Sequence, residues 1–278
     1  MSFRLYAAAM LAAVVAVLSA GCAAPGPAPS TVSAAFAGKP YVLLGEVHDN
    51  AAGQRQRLEA LTRAVEQGWR PAIAMEQFDR ERQADIDRAR RERSRDADYL
   101  IAQAGGGAWQ WPLYRPVVAL ALRYDLPLVA ANLSRADAGK IVRGGLDGLF
   151  SVEERQQLGL SGALPPDLVA AQTAVLDRGH CGNFPRAMLP GMLAAQAARD
   201  AVMAQALRPY AGRGAVLIAG NGHVRRDIGV PRWLGGDAAD AVSIGYVENA
   251  PGKGEFDMAV VVPAVEREDP CLQAKPAG

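Results

Sequence analysis

The chain has 278 residues, half of them apolar, which is enough to enclose one sizeable core. Its 30 Lys and Arg against 29 Asp and Glu leave a formal charge of +1, interspersed along the chain with no basic tract. Nucleic acid is therefore excluded as an expected partner.

The first residues read as a compartment address. Arg4 opens it, residues 5–18 are apolar, and Ser19-Ala20-Gly21-Cys22 follows. Residues 1–21 are thus read as a lipoprotein signal peptide with Cys22 as the lipidated residue, although Ser19 stands where Leu is usual. Ordinary cleavage and an uncleaved anchor are the alternatives. Lipidation of Cys22 would hold the protein stably on a membrane, because several acyl chains are buried. Ala23 replaces the Asp that commonly retains such proteins at the inner membrane, so the expected address is the periplasmic face of the outer membrane. Residues 22–39, rich in Ala, Pro, Gly and Ser, read as a flexible lipid-anchored tether. Residues 40–272 are expected to form one α/β domain, with residues 273–278 as a tail.

Within the domain, residues 41–44 are an apolar run that leads directly into Gly45-Glu46-Val47-His48. A buried strand thus ends by presenting a carboxylate and an imidazole. Residues 52–67 follow as a helix with Leu58, Leu61 and Val65 on one face, capped by Asp49 or Asn50. Residues 71–75 form the next strand, ending at Glu76, and strand-helix-strand implies a parallel unit. The charge-dense stretch 79–98 is read as a solvated helix face.

Gly105-Gly106-Gly107 interrupts the pattern before Trp109-Gln110-Trp111-Pro112-Leu113-Tyr114, whose aromatics either wall a flat ligand pocket or close a core edge. A helix over 117–124 and a strand over 126–132 come next, and 134–178 reads as short helices. After His180-Cys181 a helix runs to about residue 208, with Met188, Met192, Arg199 and Met203 on one face; core packing and the lining of a large apolar ligand would look alike. Residues 215–219 then repeat the first arrangement, an apolar run into Gly220-Asn221-Gly222-His223. Two of the chain's three histidines therefore stand at the tips of buried strands. Residues 241–248 and 256–262 are read as terminal strands paired in a hairpin across 249–255.

Glu46, His48, Glu76 and His223 all fall at strand ends, where a parallel sheet gathers its chemistry into one crevice. Such a set suits an acid/base pair, or a divalent metal held by Glu46, His48 and His223; the bland reading is that these side chains satisfy strand-end backbone groups. No Gly-x-Ser-x-Gly, His-Glu-x-x-His or Gly-x-Gly-x-x-Gly sequence is present, which weakens the serine hydrolase, zincin and dinucleotide classes. Leaving Cys22 aside, Cys181 and Cys271 remain as an even pair suited to a disulfide, with a reactive thiol or soft metal ligand at His180-Cys181 as the competing readings.

Taken together, GEVHDN, AMEQFDR, WQWPLYRPVV, HCGNFPRAMLPGMLAAQAARDAVMA and AGNGHVRRDIGVP resemble the ChaN-like haem-binding lipoproteins of the Tiki superfamily, over about residues 41–271. The resemblance implies an α/β domain around a parallel-rich sheet, flanked by helices, and a role in iron uptake through haem. It also implies a Tyr or His iron ligand that no motif fixes, for which Tyr114, His180 and Tyr210 are candidates. Trp111, Met188, Met192 and Arg199 are the further haem-binding candidates, with Arg225 a second arginine for the propionates. The wider superfamily includes metal-dependent proteases and relatives of erythromycin esterase, so a metal-dependent esterase or peptidase on Glu46, His48, Glu76 and His223 is the alternative function. An envelope scaffold with a vestigial site is a third. A flat cofactor on a shallow face leaves room for a second protomer, so a haem-induced homodimer is a further expectation.

Overall fold

The computed structural model describes residues 27–269, 271 and 272. The signal peptide, Cys22 and the tail 273–278 lie outside the described residues. In chain order the elements are α1 (Pro29–Ala34), β1 (Tyr41–Glu46), α2 (Ala51–Glu66), β2 (Ala72–Asp79), α3 (Gln83–Glu92), α4 (Ala97–Ala104), α5 (Trp111–Arg123), β3 (Leu128–Asn132), α6 (Arg135–Gly144), α7 (Val152–Leu158), α8 (Pro166–Gly179), α9 (Leu189–Leu207), β4 (Ala215–Gly220), α10 (Asn221–Val224), β5 (Ala241–Val247) and β6 (Met258–Val261). The six strands form one sheet in the order β3-β2-β4-β1-β5-β6, every pair parallel.

Strands β1 to β5 are buried on both faces because helices cover both, whereas β6 at the sheet edge is partly exposed. Val42 and Leu44 of β1, Ile73 and Met75 of β2, and Val216 and Ile218 of β4 pack with α2 to α5 in one core. The alternate residues Tyr41, Leu43, Ala74 and Leu217 face the other way, against Met203, Ala204 and Leu207 of α9. The period-2 alternation of a strand thus feeds two cores from one run of residues. A third cluster joins α6 to α9 through Ile141, Ala197, Ala198 and Ala201. Among the described residues no helix is long and apolar enough to cross a membrane.

Several local expectations change. The segment read as tether folds from residue 28 on: Pro29 starts α1, and Val32 and Phe36, four residues apart, are buried in the first core. Composition concealed this, since only two apolar anchors one helical turn apart are needed. The charge-dense stretch is not one helix but a short turn followed by α3 and α4, the latter capped by Asp96. The aromatic stretch is the start of α5 itself, with Pro112 in its first turn. The terminal strands do not form a hairpin: β6 runs parallel to β5, with Ile244 opposite Met258. The connection doubles back, pinned where the Arg226 amide donates to the Glu255 carbonyl, 2.8 Å, and Arg225 pairs with Glu255, 3.0 Å. Gly and Pro mark a reversal of direction, and one reversal more or fewer decides between hairpin and crossover.

Candidate functional site

All strands being parallel, their carboxyl ends share one edge. Glu46 ends β1 opposite Gly220 of β4. Beside them the register of β2 with β3 shifts between Met75 and Asp79, and Glu76 and Gln77, which lie within that stretch, are both buried. The paired residues expected at the strand tips are therefore gathered, but not with equal roles.

Glu46 is buried and fully engaged. One oxygen accepts from His48 Nδ1 at 2.8 Å, the Tyr114 hydroxyl at 2.7 Å and Gln77 Nε2 at 3.1 Å; the other accepts from Gln54 Nε2 at 2.8 Å and from the Arg57 guanidinium. Burial works to raise its pKa, yet Arg57 and the bonds from His48 and Tyr114 overcome this and hold the carboxyl at about 2, below the usual 4.5. A carboxylate with five donors is an orienting group. It holds His48 by Nδ1, which must carry the proton because the carboxylate can only accept. That leaves His48 Nε2 toward the crevice. Burial opposes the charge on His48, but the bond to Glu46 and the negative charge of Glu76 outweigh it and raise the pKa.

Across the crevice, His223 sits on α10, the single turn that follows β4. Its Nδ1 donates to Asp200 of α9 at 2.6 Å, and its Nε2 lies 3.6 Å from Glu76. Glu76 in turn accepts the Gly220 amide at 2.7 Å. A Cβ on Gly220 would stand 3.0 Å from the His48 ring nitrogen Nε2 and 3.6 Å from Glu76, so glycine lets these groups converge. Burial works against the imidazolium of His223, but Glu76 and Asp200 reverse this and push its pKa up to about 9. Asp200 itself is pushed up to about 6, burial outweighing its cation partner, so near neutrality the pair is ionic.

The aromatic residues border His48. Trp109 meets its ring edge-on at 5.0 Å, Tyr114 lies behind at 5.8 Å from Trp109, and Trp111 packs on Phe78 and donates to the Gly106 carbonyl. Tyr114 is fully buried, and burial and Glu46 raise its pKa. On the other side, α6 and α9 bound a groove of about 650 Å³ lined by Ala138, Val142, Met188, Met192 and Ala195, with Arg135, Arg143, Arg199 and His223 supplying charge. The Met stripe is thus split: Met188 and Met192 line the groove, whereas Met203 is core. Arg199 lines it while donating to Asn132 at 2.9 Å.

Other expected participants are elsewhere. Arg225 is bound to Asp227 and Glu255 and does not line the groove. Tyr210 precedes the amino end of β4, at the opposite edge of the sheet. His180 is exposed after α8, its Nδ1 bonded to the Leu176 carbonyl at 2.8 Å and its ring against Phe184. The aromatic stretch and the Met helix, expected to enclose one cofactor, flank the crevice on separate sides. Cys181 and Cys271 form the disulfide, with Cα atoms 5.4 Å apart, which ends the thiol and soft-ligand readings. The metal reading of Glu46, His48 and His223 is not supported: no group of three or more potential ligands comes together among the described residues, since Glu46 spends both oxygens on its five donors.

Asp200, Arg57, Gln54 and Gln77 were not legible as site residues. Asp200 is the only acidic residue in α9, and an acid in an Ala-rich buried helix was the available signal. Gln54 and Arg57 share with Leu61 the helical spacing that marks the buried face of α2.

Comparison with known proteins agrees with this geometry. The family described as haem-binding uptake, Tiki superfamily, ChaN matches residues 32–234. Among solved structures, ChaN of Campylobacter jejuni, described as binding haem cofacially, superposes with a TM-score of 0.65 at 20% identity, covering 80% of this chain and 87% of that one. The type III effector HopBA1 gives 0.48 at 13% identity, covering 86% and 95% of the two chains. A mutant erythromycin esterase, EreC, in its open conformation gives 0.39 at 14% identity, covering 86% and 80%. Among curated protein sequences none matches. With the family match spanning both Gly-x-x-His strand ends and the whole of α9, the chain belongs to the ChaN haem-binding uptake family of the Tiki superfamily.

Proposed function

We propose that the protein binds haem in the groove between α6 and α9, and does so as a lipoprotein attached through Cys22 to the periplasmic face of the outer membrane, in the service of haem-iron uptake. The observation that carries the binding reading is the composition of the groove. Its apolar side chains suit a macrocycle, and Arg135, Arg143 and Arg199 suit two propionates; no acidic side chain lines it. Family membership supports the same ligand. The groove is open, so a second protomer has room to cover a bound haem, and a haem-induced homodimer belongs to the proposal.

Titration of the protein with hemin, followed at the Soret band, tests the binding reading. A saturable shift at micromolar protein is the expected result, weakened by Arg199→Ala and Met192→Ala; no saturable shift refutes it. Size measurement with and without hemin tests the dimer, which fails if the mass is unchanged. Mass analysis of the N-terminal peptide from membranes tests the anchor: an acylated Cys22 is expected, and an unmodified one removes that part.

A further inference from the structure

We propose that the amino-end edge of the sheet is a membrane-docking surface, on which Lys39, Arg70, Arg123 and Arg213 rest against the anionic headgroups of the bilayer that carries the Cys22 anchor. The inference rests on the anchored reading above and goes beyond it by naming the face that meets the lipid. Its first ground is reach. With α1 folded from Pro29 on, residues 23–28 alone separate Cys22 from the domain, and six residues even fully extended span about 20 Å. The start of α1 shares a surface hollow with Glu59, Thr62, Arg63 and Glu66 of α2, and Phe36 lies 5.7 Å from Trp69, ring to ring. The second half of α2 runs toward the amino edge, because this helix returns the chain from the tip of β1 to the start of the parallel β2. The anchor therefore holds this side of the domain close to the bilayer.

Within that reach, charge selects the edge. Strands β1, β4 and β2 start in register, Tyr41 and Ala72 both pairing with Ala215. The ladder continues outward by one residue, the Ala215 amide donating to the Pro40 carbonyl at 2.8 Å and the Ala72 amide to the Gly214 carbonyl at 2.9 Å. Lys39, Arg213 and Arg70 each stand two positions before those paired residues, so three adjacent strands, about 4.8 Å apart, present one cation each along the edge. The segment before β3 adds a fourth, since Arg70 and Arg123 both lie 5.2 Å from the ring centre of Tyr124. Arg213 Nε donates to the Arg70 carbonyl at 2.9 Å, and Arg70 Nη1 to the carbonyls of Val65 and Trp69, at 2.6 and 3.0 Å, which fixes both arms. None of the four cations makes an ion pair among the described residues, and the three arginines are exposed. Nearby carboxylates do not neutralise the row: Asp125 is paired with Arg90 at 2.7 Å, and Glu66 shares the end of α2 with Arg63. Before β5 the sign changes at Asp237 and Asp240, which bounds the row on that side. Clustered cations without carboxylates suit phosphate-bearing headgroups, and the half-buried Trp69 and Tyr124 beside them are the aromatic types that settle at a bilayer interface. Docked in this way, the carboxyl edge lies one strand length, roughly 20 Å, farther from the bilayer, and the crevice and groove open away from it.

The test uses the full chain, extracted from membranes with its acyl anchor and reconstituted into vesicles of phosphatidylethanolamine and phosphatidylglycerol. A nitroxide on Gln67→Cys, exposed at the end of α2, or on Met188→Cys, exposed at the groove, reports access of a water-soluble paramagnetic reagent. The Gln67 probe should be several-fold less accessible on these vesicles than in detergent, and the Met188 probe unchanged. High salt, or phosphatidylcholine in place of phosphatidylglycerol, should restore access at Gln67. Each of Arg70→Gln, Arg123→Gln and Arg213→Gln should lower the docked-to-free ratio about fivefold. Equal access at Gln67 on vesicles and in detergent overturns the proposal, as does shielding that survives both high salt and neutral lipid. Release by millimolar inorganic phosphate at constant ionic strength would make the edge a free-phosphate site and overturns it too. Should the arginine variants fail to fold by circular dichroism, the salt and lipid arms on the wild-type arginines decide alone. Mass analysis before reconstitution separates the premise from the inference: an unmodified Cys22 removes the anchor and the docking with it, whereas an acylated protein with an open amino edge refutes the docking only.

Discussion

Replacing Arg57 by Met isolates what holds the crevice in shape. The Arg57 guanidinium, 1% exposed, pairs with the equally buried Glu46 and bonds the Gln54 side chain. Removing one member of a buried ion pair leaves the other charge uncompensated, at a cost of about 3–5 kcal/mol. Arg57 Nε has no hydrogen-bond partner among the described residues and disappears with the substitution, so the lower end, about 3 kcal/mol, is expected. For a domain of this size that corresponds to a Tm lower by roughly 10 °C.

The pH dependence gives a sharper test. Glu46, lowered to about 2 from 4.5, supplies stability that is present above pH 4.5 and lost as pH falls toward 2. In Arg57→Met the carboxyl has lost its main cation and takes up a proton at higher pH, so the deficit relative to wild type is largest above pH 4.5 and narrows in acid. Urea unfolding followed by circular dichroism at about pH 7 and about pH 3.5 measures both quantities. A cost below about 1 kcal/mol, or one that is equal at the two pH values, would refute the reasoning. A cycle with Glu46→Gln should return a coupling of roughly 0.5–3 kcal/mol, the double variant losing less than the sum.

His223, raised from 6.5 to about 9, supplies stability that is complete below pH 6.5 and lost as pH rises through 9; melting curves across that window should fall for wild type and flatten for His223→Gln. Reduction of the Cys181–Cys271 bridge, or Cys271→Ser, releases a closure over a sequence separation of 90, with a loss of up to about 4–5 kcal/mol read as a lower urea midpoint. Gly45→Ala would set a Cβ 2.5 Å from Val224 and 2.3 Å from Asn221, on the turn that carries His223; a cost of about 1–3 kcal/mol is expected in chemical unfolding, and a neutral variant would show that the turn yields.

The sequence by itself determined the strand tips. Apolar runs ending in Gly-x-x-His read as buried strands that hand a polar group to the sheet edge, and β1 and β4 are such strands, with Glu46 opposite Gly220. It also offered Cys181 and Cys271 as an even pair once Cys22 was set aside for lipidation, with a thiol or soft-ligand role as the alternative, and the bridge is the one that forms. These are local or combinatorial facts, readable wherever burial repeats with the period of the element.

Tertiary structure decided what depends on which distant segments meet. Asp200 is separated from His223 by 23 positions and Tyr114 from Glu46 by 68, and no periodicity announces either bond. The register shift of β2 against β3 around Glu76 and Gln77 depends on a partner strand some 50 positions away, and the direction of β6 follows the path of a loop rather than its composition. The same Met stripe was divided between groove and core only when α6 was laid beside α9. Side-chain type and spacing name the groups available for a site; the packing of sheet against helices chooses among them, because each buried polar group must find its partner within the one arrangement that also fills the core.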